Sequence, residues 1–574
     1  WKMVKPESFY QGSSTALSDG GAIAVCSPVT IKSCRFENCA AGDGGAINVG
    51  GTKAKIIDSV FVNNCAGGLV NVQNYKHGGA IYLTEADGSL VKGCTFIDNH
   101  ADRYGGAISV RSGVNIKIED SVFNSNYLGD GIHKLGGAIY LNSGLKEKNL
   151  IIQITRCSFS NNGYDGGERT CYKGGAIYYS DVEKAHISEC NFTGNAASER
   201  GGAIYAKSSC PDIIGCVFTK NHANERGGAI YLDSRNNVVD WCVFDSNSAD
   251  DDGGAIYVEA RYNTIKNSLF VNNKAKDEGG AVYINGRYAK IHSSNFFTNT
   301  AKKGYDIYCD SSSCELYGSI ILGNTPKNAV YSSKSFSAGK NWWGNVESNK
   351  NVKPDVNKKV DLENNWIYLK DEVKYDHTGS LPSAVLKASL WSNKFDYEVT
   401  SYLKFVFDME FTNTASNTNK IDSGGFSDFI IPLTTTNTAV TLLKDKWSHK
   451  INLKYDSPSY THSLSHLKND ISNADSVLNL TADYEYTDVC DKSLINGFRP
   501  GINIVINGNG HTIDGKNIAS LFDMNYRELT LKNVKIVNFK NVIKSKRDFY
   551  IENCTFINSS SLSSSCIIFL FSSF

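Results

Sequence analysis

The sequence predicts an all-β protein: a right-handed parallel β-helix solenoid, then a β-sandwich module of the immunoglobulin-like (Ig-like) type, then the start of a second β-helix. Three observations support this prediction. A glycine-rich box recurs through roughly the first 310 residues, a phenylalanine and an asparagine recur between the boxes, and both patterns stop before Trp366. Self-similarity at a nearly fixed period of this size is the sequence signature of a solenoid.

The glycine box reads Gly-Gly-Ala-Ile, with Val282 in place of Ile in its last clear copy and a worn copy from Gly304 to Tyr308. The last copies are 26 residues apart and earlier ones 24 to 38 apart, which indicates a fixed unit that carries loops of variable length. The clear copies begin at Gly20, Gly44, Gly78, Gly105, Gly136, Gly174, Gly201, Gly227, Gly253 and Gly279.

The second signature is a small residue, then Phe two places on, then Asn three places after that. The small residue is Cys or Ser, and the first unit departs from the pattern with Cys39 where Asn is expected after Phe36. The cysteines at this position are therefore predicted to be small buried side chains, and Cys309/Cys314 is a disulfide candidate by proximity. The cysteine copies are Cys94/Phe96/Asn99, Cys157/Phe159/Asn162, Cys190/Phe192/Asn195, Cys216/Phe218/Asn221 and Cys242/Phe244/Asn247.

A coil of about three short strands is the natural structure for this unit. Each unit has short β-prone runs separated by turn residues and no stretch long enough for a stable helix. Coils stacked at roughly 4.8 Å pair every backbone group with the coil above and below. We expect the glycine pair at a corner of close backbone approach, Ile and Phe in the core, and the Asn hydrogen-bonded at a buried corner.

The domain prediction divides the chain into four parts. Residues 1–346 form the first β-helix, with an N-terminal covering segment and a cap at Trp342-Trp343. The remaining parts are a linker over 347–365, an Ig-like β-sandwich over 366–455, and the incomplete N-terminal part of a second β-helix over 463–574. Because Trp1 opens on polar sequence, we expect that a leader has been removed or that the chain is an excerpt.

Charge and hydropathy exclude several function classes. The 574 residues include 59 basic and 59 acidic side chains, so bulk electrostatics give no case for a nucleic-acid partner or an anionic membrane. No apolar run approaches the length of a transmembrane helix.

The repeats carry a family resemblance. The paired Gly-Gly-Ala-Ile and Phe-x-x-Asn units resemble the passenger domains of chlamydial polymorphic outer-membrane proteins. The wider order, in which Asn341-Trp342-Trp343-Gly344 follows the repeats and Gly508 to Gly515 opens a second set, is similar to adhesin-like surface proteins of methanogenic archaea. This resemblance implies export, display at the cell surface and adhesion, with host or syntrophic cell-surface glycans or proteins as partners.

Tyrosine recurs directly after the box isoleucine. Period-two alternation would send these rings to the outside of one face, where stacked tyrosines would form a strip suited to sugar rings or protein surfaces. Self-stabilisation of a strand ladder is the competing explanation. The predicted ligand-binding residues are Tyr82, Tyr140, Tyr178, Tyr205, Tyr231, Tyr257 and Tyr283.

Acidic residues precede the glycine pair in neighbouring coils. Asp251, Asp252, Asp277 and Glu278 fall at equivalent places, so calcium is a candidate ligand, and a solvated turn edge near Arg226 is the alternative. No other cofactor and no catalytic residue is predicted.

Taken together, these patterns predict a non-catalytic, exported adhesin-like protein that attaches to other cells or to polysaccharide through a rigid repeat surface. Two alternatives stay open. One is a carbohydrate-active β-helix enzyme of the lyase or hydrolase type, and the other is a purely structural protein of the cell envelope.

Overall fold

A computed structural model gives the fold. It describes residues 20–67, 76–129, 133–143, 150–163, 167, 171–182, 184–207, 212–376, 383–394, 410–413, 418–420, 429–432, 439–444, 447–452, 462–487, 491–524, 527–545 and 549–559. The predicted N-terminal covering segment, residues 1–19, lies outside these ranges.

The first part of the chain winds through three long parallel sheets, visiting each sheet once per coil. Sheet 1 consists of Ile23–Val25, Ile47–Gly50, Ile81–Thr84, Ile108–Arg111, Ile139–Asn142, Ile177–Ser180, Ile204–Ala206, Ile230–Leu232, Ile256–Val258, Val282–Ile284, Ile307–Cys309 and Val330–Ser332. Sheet 2 consists of Val29–Lys32, Ala54–Ile57, Leu90–Lys92, Ile116–Glu119, Ile151–Thr155, Lys184–Ser188, Asp212–Ile214, Val238–Asp240, Thr264–Lys266, Lys290–His292, Cys314–Tyr317, Phe336–Ser337 and Val360–Asp361.

Sheet 3 begins with Arg35–Glu37, Val60–Val62, Thr95–Ile97, Val122–Asn124, Ser158–Ser160, Asn191–Thr193, Val217–Thr219, Val243–Asp245, Leu269–Val271, Asn295–Phe297, Ile320–Leu322 and Trp342–Val346. Two short parallel ladders close the coils after sheet 3. Their strands are Ala40–Ala41, Cys65–Ala66, His100–Ala101 and Tyr127–Leu128, then Ala196–Ala197, His222–Ala223, Ser248–Ala249 and Lys274–Ala275. This architecture confirms the predicted all-β parallel β-helix.

The glycine pair precedes ten strands of sheet 1, from Ile23–Val25 to Val282–Ile284, where a Cβ would lie too close to the backbone. Gly227 has φ 68°, and a Cβ on it would lie 2.5 Å from the carbonyl oxygen of Ile230. A Cβ on Gly228 would lie 2.1 Å from the carbonyl oxygen of Gly254 in the next coil. The first glycine therefore supplies a left-handed turn, and the second allows two coils to approach.

Two side-chain ladders join the coils internally. The core phenylalanines stack with ring centroids 4.7 to 5.0 Å apart between Phe36 and Phe296. Asn221 Nδ2 donates to the carbonyl of Phe192 in the preceding coil and to Oδ1 of Asn247 in the next, both at 2.9 Å. The buried asparagine predicted at a corner thus satisfies backbone groups and links successive coils.

The cysteines before Phe are buried, as predicted, from Cys94 to Cys242, whereas Cys34 in the first coil is exposed and Cys554 is half-buried. Adjacent members of the buried row are in contact, because the backbone N–H of Cys157 donates to Cys190 Sγ at 3.4 Å. The predicted disulfide between Cys309 and Cys314 is wrong, because both are free, buried thiols that donate to backbone carbonyls.

The solenoid continues past the two tryptophans. Trp343 lies in the central core, but Val360–Asp361, within the predicted linker, pairs in parallel with Phe336–Ser337 of sheet 2. Val360, Leu362 and Trp366 belong to the same core. Residues 347–365 therefore pack on the end of the solenoid, and the division of the chain into domains stays a prediction.

Antiparallel pairing replaces parallel pairing after Trp366. Ile367–Asp376 extends sheet 3 in parallel with Trp342–Val346 and forms an antiparallel hairpin with Ser383–Ser392, which pairs with Phe429–Pro432. A second antiparallel sheet contains Glu410–Asn413, Thr418–Lys420, Ala439–Lys444 and Trp447–Asn452. Much of the predicted Ig-like sandwich lies outside the described residues, so that assignment stays a prediction.

A second set of parallel coils follows, as predicted. Helix Leu464–Asn473 begins at Ser463, whose side chain accepts from the N–H of His466, and buries Leu464, Leu467 and Ile471 in the core. The three sheets are Val477–Asn479, Ile504–Asn507, Leu529–Lys532 and Phe549–Glu552; Tyr484–Glu485, Thr512–Asp514, Lys535–Val537 and Thr555–Ile557; and Asn496–Phe498, Ser520–Met524 and Ile543–Ser545. Within the described ranges there are also short helices at Pro326–Ala329, Glu347–Asn349 and Lys492–Leu494.

Candidate functional site

The predicted tyrosines form a continuous stack on sheet 1. Consecutive rings lie 4.7 to 5.5 Å apart and within 17° of parallel. Tyr82 stands apart from this stack, because the coil between it and Tyr140 holds Ser109 at the equivalent position. We call the stack the tyrosine ladder, which consists of Tyr140, Tyr178, Tyr205, Tyr231, Tyr257, Tyr283 and Tyr308.

The tyrosine ladder lies outside the central core, as predicted, but it is not an open strip. Its rings are only 1 to 8% exposed. Basic side chains from the loops before three glycine pairs cover ring faces: Lys173 lies over Tyr205 at 5.5 Å, Arg200 over Tyr231 at 5.3 Å and Arg226 over Tyr257 at 5.2 Å. The prediction of a flat exposed surface is therefore wrong, because cation–π contacts hold the loops down on the rings. Ligand binding by these residues stays a prediction.

The hydroxyl groups of the tyrosine ladder also have partners. Tyr205 donates to Asp233 at 2.8 Å and Tyr231 donates to Glu259 at 3.1 Å. Burial raises the pKa of Tyr178 to about 12, so the phenols are neutral donors at physiological pH. At Tyr205 and Tyr231 the ladder thus has a cation on the ring face and a carboxylate at the hydroxyl group.

The predicted calcium ligands do not converge on a metal site. Asp277 forms an ion pair with Lys302, and Glu278 lies 3.0 Å from Lys303. Asp252 lies 3.4 Å from Arg226, the cation that also covers Tyr257.

Asp251 is the fourth predicted ligand, and it adds negative charge close to Asp252. Among the described residues, no group of three or more His, Cys, Asp or Glu side chains is arranged to hold a metal ion. Lysines and arginines of adjacent coils pair with Asp252, Asp277 and Glu278, and calcium binding stays a prediction.

Asp252 is the most perturbed of these carboxylates. Burial raises its pKa to about 6, Arg226 opposes the rise, and the negative charges of Glu278, Asp251 and Asp277 add to it. A carboxylate at this position is costly in the ionised form, which fits a structural pairing with Arg226 rather than a solvated metal ligand.

A polar cleft of about 500 Å³ lies in the second set of coils. Asp483 accepts from the N–H of Thr512 at 2.8 Å and lies 3.1 Å from His511 Nδ1. Lys516 bridges Glu485 at 2.7 Å and Asp514 at 3.3 Å. His511 is therefore a turn histidine with a carboxylate partner, and the carboxylates of this cleft are already paired.

Sequence reasoning missed a set of exposed aromatic residues at the two ends of the strands of sheet 2. Tyr262 and Tyr288 are 49% and 40% exposed and stack at 4.9 Å with an angle of 5°. Trp241 and Tyr317 lie at the opposite, C-terminal ends of the strands and are 46% and 39% exposed. The missed signal was the dipeptide Arg-Tyr, repeated after 26 residues at Arg261 and Arg287. We call this surface, spanning the strands from Val238–Asp240 to Cys314–Tyr317, the aromatic face.

Comparison with known proteins supports the repeat architecture. Residues 146–325 match the family described as "Right handed beta helix region", and this match indicates that the solenoid is right-handed. Residues 93–111 match the repeat of the Chlamydia polymorphic membrane protein. No curated protein sequence matches the chain. The chain is thus a right-handed parallel β-helix repeat protein.

Several solved structures are similar at low identity. A PL6 alginate lyase in complex with a trisaccharide is 10% identical, with a TM-score of 0.34, covering 56% of this chain and 80% of the lyase. The PL6 alginate lyase AlyGC, in a mutant form, is 13% identical, with a TM-score of 0.31 and coverage of 94% and 73%. A tailspike of E. coli bacteriophage HK620, in complex with a pentasaccharide, is 10% identical, with a TM-score of 0.27 and coverage of 76% and 83%. These values carry no conclusion about activity.

Proposed function

We propose that this protein is an exported, non-catalytic adhesin-like protein of the cell surface, of the kind found in methanogenic archaea. It would hold a rigid repeat surface away from the cell for attachment to other cells or to polysaccharide. The observation that supports the proposal most is the continuity of the solenoid: sheets 1 and 2 run through it as parallel stacks, joined by the asparagine, phenylalanine and tyrosine ladders.

One further observation agrees with a surface role. The chain carries a repeat that matches the Chlamydia polymorphic membrane protein over residues 93–111. Within the described part of the chain, no helix combines the length and apolarity required to cross a bilayer. Carboxylates that would serve an enzyme or a metal are paired with lysine, arginine or histidine in both sets of coils.

The test is binding of the full chain to a glycan array, together with incubation of the chain with polyuronates. We expect saturable binding that a calcium chelator leaves unchanged, and no release of shortened chains. A matched variant, Tyr205→Phe with Tyr231→Phe and Tyr257→Phe, keeps the buried rings and removes only their hydroxyl groups. Unchanged binding is expected from it, because all three rings are buried and the hydroxyls of Tyr205 and Tyr231 are hydrogen-bonded to the protein itself.

Two outcomes would contradict the proposal. Cleavage of a polyuronate would establish the carbohydrate-active enzyme instead, with the cleft around Asp483 and Lys516 as the first place to substitute. Absence of binding to every glycan and to intact cells would leave the structural envelope protein as the better explanation.

A further inference from the structure

The aromatic face places bulky aromatic side chains at turn positions whose backbone is left-handed. Trp241, Tyr262 and Tyr288 have φ of 54°, 63° and 60°, and they are the only Phe, Tyr or Trp residues with positive φ in the described ranges. Left-handed conformations are unfavourable for bulky residues, and strain of this kind concentrates at functional positions. All three side chains are 40 to 49% exposed, so the free energy gained by burying them does not offset the backbone strain.

Neighbouring coils show what the turn normally holds. The position equivalent to Tyr262 is Asn236, with φ 58°, in the preceding coil. Trp241 is equivalent to Asn267, with φ 50°. Asparagine tolerates this conformation well, so the solenoid folds through the same turn without an aromatic ring. The aromatic residues are therefore additions to the surface rather than parts of the scaffold.

The stack of Tyr262 and Tyr288 is accessible at both ends. Asn236 precedes it and Ser313 follows it at the equivalent turn positions, so the rings meet small side chains on either side along the rod. At the other edge of the sheet, Tyr317 stacks on His292 at 5.0 Å with an angle of 8°. Flat aromatic surfaces with polar tips pack on the apolar faces of sugar rings.

Charge on the aromatic face favours an anionic ligand. Lys266 and Lys290 are neutralised by Asp240 at 3.2 Å and Glu315 at 3.5 Å. Arg261 and Arg287, each directly before an exposed tyrosine, are exposed and make no ion pair with a described residue. Two guanidinium groups one coil apart match carboxylates or sulfates repeated along a chain, because arginine forms bidentate hydrogen bonds with such groups.

We propose that the aromatic face binds an acidic polysaccharide, a polyuronate or a sulfated glycan, with its sugar rings on Tyr262 and Tyr288 and its anionic groups on Arg261 and Arg287. The inference rests on the proposed function and specifies its ligand class. The rise of one coil brings each Arg-Tyr pair into register with its neighbour, so a linear polymer lying along the rod contacts both pairs.

The experiment measures binding of the full chain to immobilised alginate, to dextran sulfate and to neutral dextran. The first variant is Tyr262→Asn with Tyr288→Asn, because asparagine occupies the same turn in the preceding coil and preserves its backbone. The second is Arg261→Gln with Arg287→Gln. The matched control is Tyr550→Thr, which removes a 46% exposed tyrosine from a strand of the second β-helix.

We expect wild type and control to bind one or both anionic polymers, each double variant to bind at least tenfold more weakly, and salt to weaken binding. A response to alginate alone identifies carboxylates, and a response to dextran sulfate alone identifies sulfates. Thermal unfolding of each variant at the wild-type temperature shows that the fold is intact.

Undiminished binding by the tyrosine variant would overturn the proposal, as would equal binding to neutral dextran. Self-association of the chain that disappears in the same variant would show that a second copy occupies this face. Binding to other glycans on the array without binding to either anionic polymer would reject this ligand class and keep the adhesin. Absence of all glycan and cell binding would reject both.

Discussion

Stacked tyrosines occur on the outer side of sheet 1 and in the turns that lead into sheet 2 of the same rod, yet the two sets have opposite environments. Tyr231 on sheet 1 is 1% exposed, whereas Tyr262 beside sheet 2 is 49% exposed. Both stack on the tyrosine of the next coil at about the coil spacing, 5.0 Å and 4.9 Å respectively. Stacking between coils is therefore common to both sets, and something else decides which set meets solvent.

The loops determine which set of tyrosines is exposed to solvent. Sheet 1 follows the polar loop that ends in the glycine pair, and this loop places Arg200 over Tyr231 and Arg226 over Tyr257. Tyr262 and Tyr288 lie in turns between two strands, with left-handed backbones that turn the chain away from the sheet. A tyrosine ladder in a β-helix is thus a structural element where a cationic loop covers it and an interaction surface where none does.

The largest expected effect comes from removing the close approach of coils that produces the stack on sheet 1. Gly228→Ala places a Cβ 2.1 Å from the carbonyl oxygen of Gly254 and 2.4 Å from that of Ser248. We expect a loss of more than about 4 kcal/mol in the free energy of unfolding, measured by chemical denaturation. Gly50→Ala is the control, because its nearest neighbour would be a side-chain methyl of Thr84 at 3.8 Å. Equal stability of both variants would contradict the steric explanation.

A substitution within the covered ladder should cost somewhat less. Tyr231→Ala removes a ring that stacks on two others and supports Arg200, so we expect a loss of about 3 kcal/mol in unfolding free energy. Circular dichroism during denaturation measures it. A loss below about 0.5 kcal/mol would mean that the covered ladder is not structural, and the contrast with sheet 2 would fail.

The pH dependence of stability tests the loop that covers the ladder. The folded-state pKa of Asp252 is about 6, above its usual value of 3.8, so the folded protein binds the extra proton between these pH values. The contribution of Asp252 to stability is therefore present below about pH 4 and is lost as pH rises through 6. Relative to wild type, Asp252→Asn should gain about 1 kcal/mol in unfolding free energy between pH 4 and pH 7. A difference that does not vary with pH would reject the raised pKa.

The smallest effect is expected on the aromatic face. Tyr262→Asn with Tyr288→Asn relieves two bulky residues from left-handed conformations and exposes no core, so unfolding free energy should stay within about 0.5 kcal/mol of wild type. Denaturation beside Tyr231→Ala gives the comparison directly. A loss comparable to that of Tyr231→Ala would show that both tyrosine sets are structural.

Much of the fold could be predicted because every coil places the same steric and hydrogen-bonding requirements on the same positions of the repeat. Gly-Gly-Ala-Ile and Phe-x-x-Asn mark positions that accept one kind of residue in each coil. Gly228 lies against the backbone of the next coil, Phe218 stacks in the core, and Asn221 forms the hydrogen bonds of the corner. The outward placement of the tyrosines also followed from alternation along the strand. The predicted linker was harder, because Val360 and Leu362 have no repeated neighbours to mark them as core.

The candidate site was less predictable because it depends on contacts between coils of different sequence. In the sequence, Asp277 and Glu278 resemble metal ligands. In the structure, Lys302 and Lys303 of the next coil lie beside them and form ion pairs with them. Stacking brings together residues about 25 positions apart, and the loop lengths that set this register vary along the chain.

By itself, the sequence determined the parallel β-helix, the positions of its glycine corners and its asparagine and phenylalanine ladders, since each is enforced within one repeating unit. Only the tertiary structure decided which tyrosines are covered and which are open, because that depends on where a loop from one coil lies on the next. The cation over Tyr231 and the absence of one over Tyr262 among the described contacts are properties of stacked coils. No single unit encodes them.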